Sequence, residues 1–67
     1  MPRPQVIYVT DLAEALDQSE STIYDWIKRG KLETSQDGNG VHRIYEFQLA
    51  RAIGREAATE VFDQAET

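Results

Sequence analysis

Ser19-Glu20-Ser21-Thr22-Ile23-Tyr24-Asp25-Trp26-Ile27-Lys28-Arg29-Gly30-Lys31-Leu32 reads as one helix with both ends marked. Ser19 is an N-cap, because its hydroxyl accepts from one of the first free backbone amides. Glu20 places a negative charge where the helix dipole favours it. Ile23, Trp26 and Ile27 fall at the i, i+3, i+4 spacing of a single apolar stripe, which makes Trp26 a core residue rather than a base-stacking one. Lys28 and Arg29 occupy the last turn, where cations suit the dipole. Gly30 supplies the left-handed residue that closes the helix.

Upstream, Leu12, Ala15 and Leu16 repeat at helical spacing and give a shorter helix of about residues 11–16, with Thr10 as its N-cap. Asp17-Gln18 interrupt that pattern, so the two helices are joined by a three-residue turn ending at Ser19. Val6-Ile7-Tyr8-Val9 is either a small strand or a core anchor. Met1-Pro2-Arg3-Pro4 holds both prolines of the chain and reads as an extended, mobile arm over residues 1–5.

Downstream the period changes. Lys31 to Ser35 suits a short strand, Gln36-Asp37-Gly38-Asn39-Gly40 is dense in turn formers, and Val41-His42-Arg43-Ile44-Tyr45 is β-branched and aromatic. Together they predict a hairpin with Val41, Arg43 and Tyr45 on one face and His42 and Ile44 on the other. Phe47, Ala50, Ile53 or Gly54, Ala57 and Val61 then recur at helical spacing from about Glu46, with Gly54 placed to break the helix in two. The expected architecture is a small α+β, mainly α domain over residues 6–54: two helices, a two-stranded hairpin and a third helix. Residues 55–67 form an acidic amphipathic C-terminal helix or tail. Its stripe, which includes Val61 and Phe62, packs either on the domain's own core or on a partner.

Two helices joined by so short a turn suit a helix-turn-helix, and a hairpin directly after them suits a wing. Thr10-Asp11-Leu12-Ala13-Glu14-Ala15-Leu16, followed by Ser19 to Leu32 and by Val41-His42-Arg43-Ile44-Tyr45, resembles the winged helix-turn-helix of MerR-type and excisionase-type proteins. The family pattern is an apolar helix, a serine cap, then S-T-[VI]-Y-x-W-I-[KR]-[KR]-G-[KR]-L and a hairpin ending in R-x-Y. The resemblance covers about residues 7–53. It is specific for the fold and less so for the biological role; the N-terminal domain of phage terminase small subunits is similar in outline.

The resemblance implies a prokaryotic or phage source, a second helix that enters the major groove of double-stranded DNA, and a wing that reaches the backbone. With Ile23 at the middle of the buried face, Ser21, Asp25 and Lys28 point away from it, flanked by Glu20, Thr22, Tyr24 and Arg29. Ser21, Thr22, Tyr24, Asp25 and Lys28 are then the expected groove contacts. Arg29, Lys31, His42 and Arg43 are the expected phosphate contacts. Each has a plainer reading: Tyr24 packs on the surface, His42 is an ordinary strand residue, and Arg43 pairs with Glu33 or Glu46. Asp25 stands where such proteins often carry a basic or polar residue, and a carboxylate there can accept from cytosine N4.

Composition narrows the role. Seven bases against twelve acids give a net charge of -5, unlike a non-specific nucleic-acid coat. Residues 55–67 hold one base and four acids, so more than half of the excess lies in the tail. The absence of cysteine excludes disulfides and thiolate zinc sites, and a single histidine makes no histidine-rich metal site. No apolar run is long enough to span a membrane, and no signal segment opens the chain, so a cytoplasmic, nucleoid-associated protein is expected. Asp37-Gly38-Asn39-Gly40 lacks the further ligands of a calcium loop. Nothing marks an activated nucleophile, and no enzyme activity or cofactor is expected.

Two functions fit. The first is a sequence-specific DNA-binding protein, a transcriptional regulator or an excisionase-like architectural factor, acting with a second copy or another protein on the DNA. The alternative, motivated by Asp25 and the net charge, is a winged-helix module that binds a replication, transcription or packaging protein, or acts as an anti-repressor, and reads no DNA.

Overall fold

In the computed structural model, which describes residues 3–65, strand β1 (Val6–Tyr8) runs without a loop into helix α1 (Val9–Ala15). Helix α2 (Glu20–Lys28) follows, then strands β2 (Ser35–Gln36) and β3 (His42–Tyr45) and helices α3 (Glu46–Ile53) and α4 (Arg55–Gln64). This is the mainly helical α+β winged helix-turn-helix that the sequence predicts, with one addition. The wing is not a lone two-stranded hairpin: β1 adds to it, giving an antiparallel sheet of order β1-β3-β2. Ile7 faces Ile44 across β1 and β3. Both side chains fall on the inner face of the sheet and are buried.

The second helix starts as expected, with Ser19 Oγ accepting from the Thr22 amide at 3.2 Å. The first does not. Its N-cap is Tyr8, not Thr10, because the Asp11 carboxylate turns back and accepts from the Tyr8 amide at 3.3 Å. Thr10 lies inside α1 and donates to Glu20 Oε1 at 3.3 Å, tying the starts of the two helices together. Between them Asp17 takes a left-handed φ of 55°, a conformation that short polar side chains tolerate.

Strand β2 is shorter than its sequence pattern. The amides of Lys31 and Leu32 both donate to the Trp26 carbonyl, at 2.9 and 3.2 Å, which holds this stretch against the end of α2. Leu32 is thereby buried, and the chain joins the sheet only at Ser35. Trp26 and Ile27 pack at the core's edge, partly buried.

The face of α3 also differs from expectation. Phe47 is 59% exposed, while Gln48 and Leu49 are buried. The helix emerges directly from β3, and the Gln48 side chain is drawn inward to cap it, accepting from the Tyr45 amide at 2.9 Å. The sheet, not the helical period, thus fixes which face of α3 turns in.

Gly54 ends α3 and opens α4 at φ 96° and ψ 155°. Across this break α4 folds back, and Ala58, Val61 and Phe62 join Leu12, Ile23, Ile44 and Leu49 in one core. Residues 55–65 therefore share the core of residues 6–54. Val61 and Phe62, offered by the sequence as a partner-binding stripe, are 5% and 1% exposed, and no partner reaches them in this fold. The arm expected over residues 1–5 lies partly outside the described residues. Within them, Arg3 is tied to Asp63 at 2.7 Å and to Glu46 at 3.1 Å.

Candidate nucleic-acid interface

Helix α2 buries Ile23 completely and turns Ser21, Asp25 and Lys28 outward, as the 3.6-residue period requires. Ser21 is exposed. Thr22 is half-buried, its hydroxyl 3.0 Å from that of Ser19, so it takes part in the cap. Tyr24 is 49% exposed. Asp25 Oδ2 forms an ion pair with Arg29 Nε at 2.9 Å, one helical turn apart. An exposed pair of this kind adds about 0.3–0.5 kcal/mol to the helix. It also cancels the negative charge that Asp25 would otherwise present at the middle of the exposed face.

Four of the seven bases carry no ion pair within 4.0 Å among the described residues: Lys28, Lys31, Arg43 and Arg55. Lys28 lies on α2, and Lys31 is exposed in the segment pinned to its end. These two are the available cations of the expected set on this side of the molecule. Arg29 is paired with Asp25 through its Nε.

The wing meets α2 through His42. Its ring lies edge-on to Tyr24, centroids 5.8 Å apart, which couples the inner face of β3 to α2. Nδ1 of His42 is 2.7 Å from the Thr34 hydroxyl, and Nε2 is 3.4 Å from Gln36 Nε2. Thr34 and Gln36 thus position His42, and no sequence motif marked them. The strand register could have found Gln36, which faces His42 across the hairpin.

Arg43 stands apart. Alternation along β3 places it on the sheet's outer face, opposite His42 and Ile44, in register with Tyr8 and Ser35. Its Nε is buried without a hydrogen-bond partner. Neither pairing weighed from the sequence forms: Glu46 bonds Arg3, and Glu33 bonds Arg51. The structure therefore gathers Ser21, Tyr24, Asp25, Lys28, Arg29 and His42 around α2, with Lys31 at its end and Arg43 on the far side of the sheet.

The wing tip is shaped by Asp37, whose carboxylate accepts from the amides of Asn39 at 2.8 Å and Val41 at 3.1 Å. Those two backbone bonds, aided by the charge of Arg43, hold the Asp37 carboxyl below the usual carboxylate range. The Asp37 carboxylate is thus used in turn geometry. Among the described residues no group of three or more His, Asp or Glu side chains is placed to hold a metal. No helix there is long and apolar enough to cross a membrane.

A family model described as a helix-turn-helix domain matches residues 9–56, from the first residue of α1 into the first turn of α4. No curated protein and no solved structure matches the chain.

Proposed function

The chain belongs to the helix-turn-helix domain family, whose members are DNA-binding modules, and on that premise we propose that it is a sequence-specific reader of double-stranded DNA. In this reading α2 lies in the major groove and the hairpin rests on the backbone. The observation that carries it is the outward face of α2. Among the described residues Ser21, Tyr24, Asp25 and Lys28 are exposed, and Lys31, without an ion pair, lies at the helix end. Polar side chains there suit base edges, and the two lysines suit phosphates.

The biological role we propose is that of a transcriptional regulator or an excisionase-like architectural factor. A single module of this size buries on the order of 600–1,000 Å² on DNA. Useful affinity then calls for repeated sites or a neighbouring protein. Helix α4 carries three acids against one base, a net -2 of the chain's -5, and this part of the negative charge is not on α2. The alternative of a module that binds only protein loses its apolar docking stripe, because Val61 and Phe62 are in the core.

The test is selection of bound duplexes from a random library at low salt, then titration of the best duplex at two salt concentrations. An enriched motif whose affinity falls with salt supports the reading. Equal binding to all duplexes, or none, overturns it.

A further inference from the structure

We propose that Asp25 and Arg29 act as one reading unit for a single G·C base pair, an inference that rests on the DNA-binding reading above. In the major groove a G·C pair presents three groups in a row: the guanine acceptors N7 and O6, then the cytosine N4 amino donor. The ion pair on α2 presents the complement. Arg29 Nε forms an ion pair with Asp25 Oδ2 at 2.9 Å, a contact made by the Nε edge of the guanidinium and one carboxylate oxygen. Among the described residues no other hydrogen bond or ion pair engages either side chain. Nη1 and Nη2 of Arg29 are left as a two-donor fork beside Asp25 Oδ1, an acceptor.

The fork matches guanine N7 and O6, and Oδ1 matches the cytosine amino group. An A·T pair opposes both halves. Its central group, adenine N6, is a donor and meets a guanidinium N–H; its outer group, thymine O4, is an acceptor and meets a carboxylate oxygen. Discrimination is therefore stronger than either side chain would give alone. The site is also set before DNA arrives, because the pair is formed in the free protein on the exposed face of α2, with side chains 48% and 63% exposed. Asp25 would repel phosphates by itself; held by Arg29, it enters the groove as part of a neutral unit. Neither residue belongs to the buried cluster, so both can be changed without opening the core.

The test uses the full chain. Bound duplexes are selected for the unmodified protein, for Arg29→Ala and for Asp25→Asn, and affinities are measured on the best site and on that site with one pair changed. The unmodified protein is expected to hold one G·C pair, and exchanging it for A·T weakens binding roughly ten- to hundredfold. Arg29→Ala should erase most of that difference while preferences at the other positions persist. Asp25→Asn should narrow the preference without erasing it, because a carboxamide can donate to thymine O4 where the carboxylate repels it, while Arg29 still favours guanine. Circular dichroism checks the fold; if Arg29→Ala unfolds, Arg29→Lys keeps the charge but lacks the fork and gives the same readout. A selected motif whose G·C preference is unchanged in the variants overturns this inference and leaves the DNA reading standing. Failure of the unmodified protein to select any motif overturns both.

Discussion

Gly30 and Gly54 are both at positive φ, 79° and 96°, yet they make different demands. Gly30 closes α2 in the left-handed region, which other residues enter at about 1–2 kcal/mol. Gly54 combines its φ with a ψ of 155°, in a region that is essentially glycine's alone. A Cβ added at either position meets nothing within 4 Å, so the cost of alanine is backbone strain without a clash. Gly30→Ala should destabilise the fold by about 1 kcal/mol, and Gly54→Ala by more, up to about 3 kcal/mol. Urea denaturation measures both, and equal losses would contradict the assignment. At the surface, Lys28→Ala and Lys31→Ala should each weaken binding to all duplexes alike and lower the salt slope by about 1. Arg43→Ala tests the outer face of the wing. If only α2 and the inner face of β3 meet DNA, it leaves the salt slope unchanged, against what the family resemblance implies.

Among the elements, the wing and α4 depart most from what local pattern could foretell. The tip of the wing hangs on Asp37, whose carboxyl is held below its ordinary range by two backbone amides. A lowered folded-state pKa means that this contribution is complete above the unfolded value and is lost only as pH falls through the lowered one. The amide resonances of Asn39 and Val41 should therefore titrate with a midpoint below that of an unstructured aspartate. Asp37→Ala should abolish the titration and broaden the tip at neutral pH. For α4 the decisive residue is Phe62. Removing its ring leaves a core void, a change that costs about 3–5 kcal/mol, against a whole-domain stability on the order of 3–10 kcal/mol for a chain of this length. Phe62→Ala should unfold much of the population at room temperature, seen as loss of helical circular dichroism. A partner-facing Phe62 would have given a stable monomer.

At the scale of the molecule, what could be read in advance was whatever depends on near neighbours in the chain. Ser19, Ile23 and Gly30 declare α2 within a dozen residues, and Asp37 to Gly40 declare the turn. The pairing of Val6–Tyr8 with residues almost forty positions later leaves no local trace, so β1 stayed undecided between strand and anchor. Phe47 misled because it fits a helical stripe, while the register of β3 set the rotation of α3. The stripe on α4 announced a buried face without naming what buries it. For the interface, helical period placed the α2 side chains correctly, but only three dimensions brought Tyr24 to His42 and closed Asp25 on Arg29. Strand alternation already put His42 and Arg43 on opposite faces, and a shared cationic character does not undo that.

Arg3, bonded to Asp63 near the other end of the chain, has a topological consequence. Pro4 and Ala65 line the same groove, so the backbone path of the described residues is nearly a closed ring. Which residue comes first in such a ring matters little to the packing within it. The ends can be spliced by a short flexible linker and the ring cut elsewhere, at Gly38-Asn39 in the exposed tip. Such a permutant should fold around the same core while delivering the hairpin as two separate strands. It would reveal whether a groove-reading helix needs its neighbouring loop to be continuous, or only to be present.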